Sequence, residues 1–490
     1  MGRTSLILVV GFNIIFITMG LNISSISSHA YNSYINDINH EQAHFAAESV
    51  VNIALADLYA ASTANTFYTM PGTNIAANTY QNTISFNGAT ATITQFRDLS
   101  LLRNTFTVIS NYQGYIDTVI VLSRQQNFAQ FAMYTVNDGS IVWGAGEFCN
   151  GPLHTEGTLL LQTDNGQASG ANGHGPQFTG RVTAKGGYKL NNTANPAALY
   201  NGFTGGYQNG VGIGLPSSAM LTANLTTSLP NAINLAPTAG QDIYIDFLQN
   251  GTMLITQSAA STKNTDKQWV NNANYTPYTT AGNANLPGNS KGIYSTQTST
   301  NFNGVIALTG ASNANIHVRG KLDGAITIAN VAGSGSVYID SSVTYLNENV
   351  NGPFTVPNPQ SNDMLGIVAN HSVIITDNPN NNVTTAGNLN PTGNVNIDAT
   401  IFSLGINNSD GFTAQDYTTR NAGYINLIGG LQQNNRQGVG QTSGSGFQKN
   451  YTYDTRYLNS FPPGYPVTQL FGLMTYYENM QWPSGVWSIW

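Results

Sequence analysis

Residues 44–59 read HFAAESVVNIALADLY. Apolar residues recur here at helical spacing, whereas most of the chain downstream alternates apolar and polar residues between Asn, Gly and Thr corners. A stripe runs through Ile35, Ile38, Phe45, Ala46, Val50, Ile53, Ala54 and Leu58 with no proline and no glycine after Gly20. One helix therefore extends well beyond the quoted stretch.

Upstream, Leu6 to Ile23 reads LILVVGFNIIFITMGLNI, with Asn13, Thr18 and Asn22 as its polar positions and Arg3 as the cation before it. Eighteen positions is the lower edge of a membrane span. Three readings compete: a secretory signal cleaved near Ser28-His29-Ala30, a permanent anchor, or a helix that starts in the membrane and continues outside it. All three imply export. The continuing stripe favours the third, because residues 4–60 as one helix would be about 85 Å long, more than an anchor needs. On this reading Leu6, Val9, Phe12, Ile15, Phe16 and Met19 sit in the membrane or filament half at 4–24. Ile35, Ile38, Phe45, Glu48, Val50, Ile53 and Leu58 then meet neighbouring helices further out. The competing reading has 35–58 packing on the chain's own sheet.

The segment HEQAHFAAESVVNIALADLY resembles the helix of PilX-type minor pilins, in which Ala-Glu-Ser lies inside an Ala-rich helix after the membrane half; Glu48 and Ser49 match. The resemblance to the type IV pilin family implies a leader ending in glycine, which makes Gly2 and Arg3 the candidate processing residues. It implies assembly into a filament with copies of itself or other pilins, after insertion in the inner membrane. At the fifth mature position, where the family carries Glu, this chain has Ile7. GPLHTEG at 151–157 and the run at 424–466 are similar to elements of large pilin-like surface proteins with β-helical bodies.

Only 8% of residues are charged, with 16 basic against 23 acidic, so the surface is neutral and hydrogen-bonding and nucleic acid is not an expected partner. The 41% apolar content in alternating runs supports a folded chain. Cys149 is the one cysteine, which excludes an internal disulfide and Cys-based metal motifs.

The fold class expected is mainly β with one long N-terminal helix: 1–62 helix, 83–137 a small antiparallel sheet, 138–431 a β-solenoid-like body, and 432–490 C-terminal hairpins with an aromatic tail. Runs ATIT (91–94), TFTVIS (105–110) and YIDTVIVLS (115–123) read as the sheet. Apolar pairs Ile306/Leu308, Ile316/Val318, Ile326/Ile328 and Val337/Ile339 recur at intervals of 10, 10 and 11, each read as one rung. Residues 165–300, rich in Pro, Asn and Gly clusters, read as loop insertions.

Few residues invite chemistry. His154 and Glu156 share one side of a strand but show no third partner. His317, Arg319, Lys321 and Asp323 read as an outward-facing row on one rung, the arrangement a glycan-cleaving or glycan-holding solenoid would use. No nucleotide, dinucleotide or HExxH motif occurs. No enzyme, cofactor or metal is expected. The function expected is a structural subunit of an extracellular filament at the cell surface; the alternatives are a monomeric membrane-anchored adhesin or carbohydrate-binding protein, and a β-helical polysaccharide lyase or hydrolase.

Overall fold

A computed structural model describes residues 2–62, 69–98, 103–145, 147–163, 175–191, 193–194, 199–210, 212–215, 231–259, 276–278, 292–299, 302–310, 313–331, 333–351, 354–377, 381, 393–441 and 445–480. The chain divides into two units, 1–125 with 469–490, and 126–468.

In the first unit, helix α1 (Gly2–Ser62) is continuous over 61 residues. An antiparallel sheet follows: β1 (Thr73–Ala76), β2 (Thr79–Phe86), β3 (Ala89–Asp98), β4 (Arg103–Tyr112) and β5 (Tyr115–Asn127) in chain order, with Val467–Met480 as sixth strand beside β5. Two hairpins turn at Asn87-Gly88 and Gln113-Gly114, where all four residues have positive φ. That is the type I′ turn, whose twist matches the strands it joins. Sequence alternation then puts Ala91, Ile93, Phe106, Val108, Val119 and Val121 on one face, against Ala47, Val50, Val51, Ala54 and Leu58 of α1. Alanines at 43, 46, 47 and 54 keep the helix surface low enough for close approach. Each buried Val or Leu contributes about 1.5–3 kcal/mol to holding the helix on the sheet. The Ser110 hydroxyl donates to the Ala43 carbonyl at 2.6 Å, and His44 Nδ1 lies 2.7 Å from Asp117 Oδ2.

The second unit is built mainly on parallel pairing, with Thr252–Ala259 antiparallel to Gln241–Leu248 and to Ile293–Ser295. One column runs Ile233, Ile306, Ile328, Ile367, Ile401, Leu431, Met133, Leu153, Val182 and Tyr207, each opposite the next. A second column stacks Ile245, Val318, Ile339, Ile375 and Ala414. A third stacks Gly320, Val343, Ile397, Leu427 and Tyr451. The apolar members of these columns form one core from Met133 to Phe447.

The 10-residue interval has a different meaning from the one the sequence predicts. Ile306 pairs with Ile328 and Ile316 with Val337, so triplets about 10 apart lie on different columns and the stacking repeat here is 22 or 21 residues. Residues 165–300 also contribute: Val182–Ala184, Tyr207–Asn209 and Ile233–Leu235 all lie in the first column, and Gln241–Leu248 in the second. The loop clusters at 164–174, 260–275 and 279–291, and the tail beyond residue 480 with its tryptophans, lie outside the described residues.

Stacking order departs from chain order. Strand Met133–Asn137, expected in the antiparallel sheet, instead pairs in parallel with Asn421–Asn435 on one side and Leu153–Thr155 on the other. The segment Gly446–Tyr453, expected among hairpins, pairs in parallel with Asn421–Asn435. Chain entry and exit are joined where Phe128 N–H donates to Pro466 O at 3.0 Å and Thr468 Oγ1 donates to Gln126 O at 3.0 Å.

Asn421–Asn435 crosses from the third column to the first at Gly429, which has φ +145° and where an added Cβ would lie 2.0 Å from Ala399 O. Glycine meets both demands. Gly429→Ala should therefore cost at least about 2 kcal/mol, read as a lower urea midpoint; an unchanged midpoint would show that the corner relaxes freely.

Candidate functional site

Two regions combine unusual exposure or unusual polarity, and the sequence singled out residues in both. The first is α1. Leu6, Val9, Phe12, Ile15, Phe16 and Met19 are all exposed, in a segment whose best 18-residue window has a mean hydropathy of 2.3 and none of it buried. Apolar residues surround the whole circumference there, as a lipid or helix-bundle environment requires. Gly2 and Arg3 lie at the start of this segment.

Further out, the stripe read from sequence separates into two. At about 100° per residue, Tyr31, Tyr34, Ile38, Phe45 and Ile53 fall within about 100° of arc, roughly opposite Ala47, Val50, Ala54 and Leu58. Val50 and Leu58 are buried on the sheet, while Phe45 is 53% and Ile53 47% exposed. Ile35 and Ile38 are partly buried. Glu48 lies between the faces, 3.7 Å from His44 one turn back. The helix thus satisfies its own sheet and keeps a second apolar face. Sequence reasoning had these as rival uses of one stripe; plotting angle instead of spacing separates them.

The second region surrounds His317. Residues 316–318 take the second column, and parallel pairing sets Tyr244 and Tyr338 directly on either side of His317. The rings stack at centroid distances of 4.4 and 4.9 Å, close to the interstrand spacing. Asp340 Oδ2 lies 3.0 Å from His317 Nδ1 and Asp242 Oδ2 lies 3.4 Å from Nε2. Burial alone would lower the imidazole pKa, but the carboxylates Asp340 and Asp242 outweigh it and raise it to about 9. The side chain is fully buried, which corrects its expected place on an outward row. Two tyrosines and two aspartates from adjacent rungs enclose it, and only the register reveals them.

The rest of that row disperses. Arg319 Nη2 donates to Asp246 Oδ2 at 3.0 Å and both are largely buried. Lys321 is half-exposed opposite Leu248, and the Asp323 carbonyl accepts from Gln297 Nε2 at 3.0 Å. Arg319 and Asp323 thus tie neighbouring segments together, and the four side chains of the row are engaged separately or, for Lys321, face outward in part.

His154 and Glu156 are likewise largely buried. His154 stacks on Tyr134 at 5.1 Å, with Nδ1 2.7 Å from Thr183 Oγ1. Burial would raise the Glu156 carboxyl, but the backbone N–H groups of Gly214 and Ile213, with Lys185, hold it at about 2. Glu156 is thereby a clamp on the 212–214 backbone. Burial pushes the Cys149 thiol up to about 11, away from reactivity. Among the described residues no group of three His, Cys, Asp or Glu side chains is placed to hold a metal ion.

No protein-family model matches the chain, and no curated protein matches it. Among solved structures it is similar to the crystal structure of the competence-associated pilin ComZ from Thermus thermophilus, at 12% identity and a TM-score of 0.31, over 90% of this chain and 98% of that one. A likeness of that degree assigns neither family nor function.

The raised pKa of His317 has a directional consequence. Its contribution to stability is fully present below the unfolded value of 6.5 and is lost as pH rises through about 9. The melting-temperature advantage of the native chain over His317→Gln should shrink across that window; a constant advantage would mean that His317 acts through packing and not charge.

Proposed function

We propose that this chain is a structural subunit of an extracellular pilus-like filament, exported with its N-terminal helix in the inner membrane and then assembled through that helix. The observation that carries this reading is the second apolar face of α1. A membrane span accounts for about 20 residues of helix. Phe45 and Ile53 lie well beyond that length and are exposed. A monomeric anchor has no use for them, whereas a bundle of copies buries them and shields the fully apolar segment inward of them.

The 8% charged content supports the same reading, because neutral β-units on neighbouring copies repel little. The resemblance of residues 40–59 to PilX-type minor pilins points the same way, with Glu48 as a bundle residue and Gly2 and Arg3 at the processing junction. Copies of itself or other pilins are the expected partners, and the role is assembly and surface contact, not catalysis.

Phe45→Asp with Ile53→Asp should abolish filaments in material sheared from the cell surface, as seen by electron microscopy. Both positions lie off the sheet, so the purified variant should keep the native melting temperature. Filaments that persist would leave a monomeric membrane-anchored adhesin as the better account.

A further inference from the structure

A cleft of about 470 Å³ opens in the second unit, lined by the turn after Met133–Asn137, by Tyr417, by the end of Asn421–Asn435 and by Lys449. That volume lies in the range of small-ligand sites. Arg436 lines it and is 6% exposed, with its guanidinium 4.6 Å above the Trp143 ring. Its Nη1 is buried with no hydrogen-bond partner among the described residues. The nearest carboxylate, Asp138 Oδ1, is 3.9 Å away and is also without a hydrogen bond. A buried donor left unpaired is unfavourable, and a ligand that supplies an acceptor removes that penalty.

The neighbouring amides define the rest of the ligand. Asn435 Nδ2 donates to Gly405 O at 3.2 Å and Asn407 O at 3.0 Å. Gln437 Nε2 donates to Asn408 O at 2.9 Å and Asp410 O at 3.4 Å. With both NH2 groups engaged inward, what these two lining residues offer a ligand is their carbonyl oxygens. The ligand must therefore bring donors to the amides and an acceptor to Arg436. A hydroxyl group is both at once; a carboxylate or phosphate oxygen is an acceptor only.

Charge supports a neutral occupant. Arg436 has Asp138 beside it, and Lys449 Nζ lies 3.5 Å from Glu147 Oε1, so each cation already faces a carboxylate. Tyr417, half-buried at the wall, offers a ring of the kind on which the C–H face of a pyranose packs.

We infer that this cleft binds a neutral oligosaccharide, with a sugar hydroxyl accepting from Arg436 Nη1 and neighbouring hydroxyls donating to the Asn435 and Gln437 amide oxygens. The site is distinct from the His317 row, whose His317 and Arg319 charges are paired with aspartates. Every residue named belongs to the second unit and none to α1.

The test is binding of the detergent-solubilised full chain to a panel of immobilised oligosaccharides, neutral (gluco-, galacto-, manno- and N-acetylglucosamine-based) and acidic (uronate-based). At least one neutral member should bind, and Arg436→Gln should weaken that binding by about tenfold, the loss of one charged hydrogen bond. If Arg436→Gln fails to fold, Tyr417→Ala and Gln437→Met, both at the wall, should each weaken it, with circular dichroism confirming that each variant is folded. Retention of no member, binding of acidic members alone, or full binding by the folded wall variants would each overturn the assignment. Because the detergent-solubilised chain is used, failure here leaves the filament reading standing, and loss of filaments in the Phe45 and Ile53 variant leaves this one standing.

Discussion

The second unit depends on parallel strands stacking in register at about 4.8 Å, which puts each side chain directly against its equivalents above and below. The stacked columns of that unit follow from this constraint. Isoleucines stack on isoleucines along the first column. Asn450 Nδ2 donates to Asn426 Oδ1 at 2.8 Å and Asn426 Nδ2 to Asn396 Oδ1 at 2.7 Å, a ladder in which one amide satisfies the next. A chain with many asparagines and few charges suits such stacking, because an amide carries its own donor and acceptor, whereas like charges at this spacing would repel.

The same constraint explains how the unit uses its few charges. A cation inside a stack needs a partner on an adjacent rung, since burying it alone is prohibitive. His317 obtains two aspartates and two tyrosine faces in this way. Outside the strands, Arg456 in the turn Thr455–Leu458 meets the same need locally, with Nη2 2.6 Å from Asp454 Oδ2 two residues back and 3.3 Å from Glu348 Oε1, over the Tyr345 ring. Arg436 has one carboxylate at a distance too long for a hydrogen bond, and that difference marks its cleft as a place to look for a ligand.

Much of this was legible. The helix was readable because its apolar spacing persists without a breaker, and the hairpins of the first unit because alternation and Asn-Gly or Gln-Gly corners are local signals. The apolar triplets of 306–339 were readable as stacked structure. What could not be read was which triplet lies on which, because nothing in a triplet names its column; the structure spaces equivalent positions there at 21 or 22 residues, twice the visible interval. The burial of His317 failed to show for the same reason, since Tyr244 and Tyr338 are 73 and 21 residues away and become neighbours only once the register is known. The placement of Met133–Asn137 on Asn421–Asn435, and of Val467–Met480 beside β5, are long-range pairings with no local signature.

The helix illustrates a different limit. Spacing alone merged Phe45 and Ile53 with Val50 and Leu58 into one stripe, and so posed assembly and self-packing as alternatives. Their mean directions lie about 140° apart, with Ile53 at the flank about 60° from Val50, and the exposures separate them, with Val50 at 1% and Leu58 at 2% against 53% and 47% for Phe45 and Ile53. A helix with one apolar face can either close its own domain or join a partner; α1, with two, can do both without unfolding its sheet. On the proposed reading, that division would let a subunit fold before it polymerises, because the face offered for assembly is separate from the face that packs on the sheet.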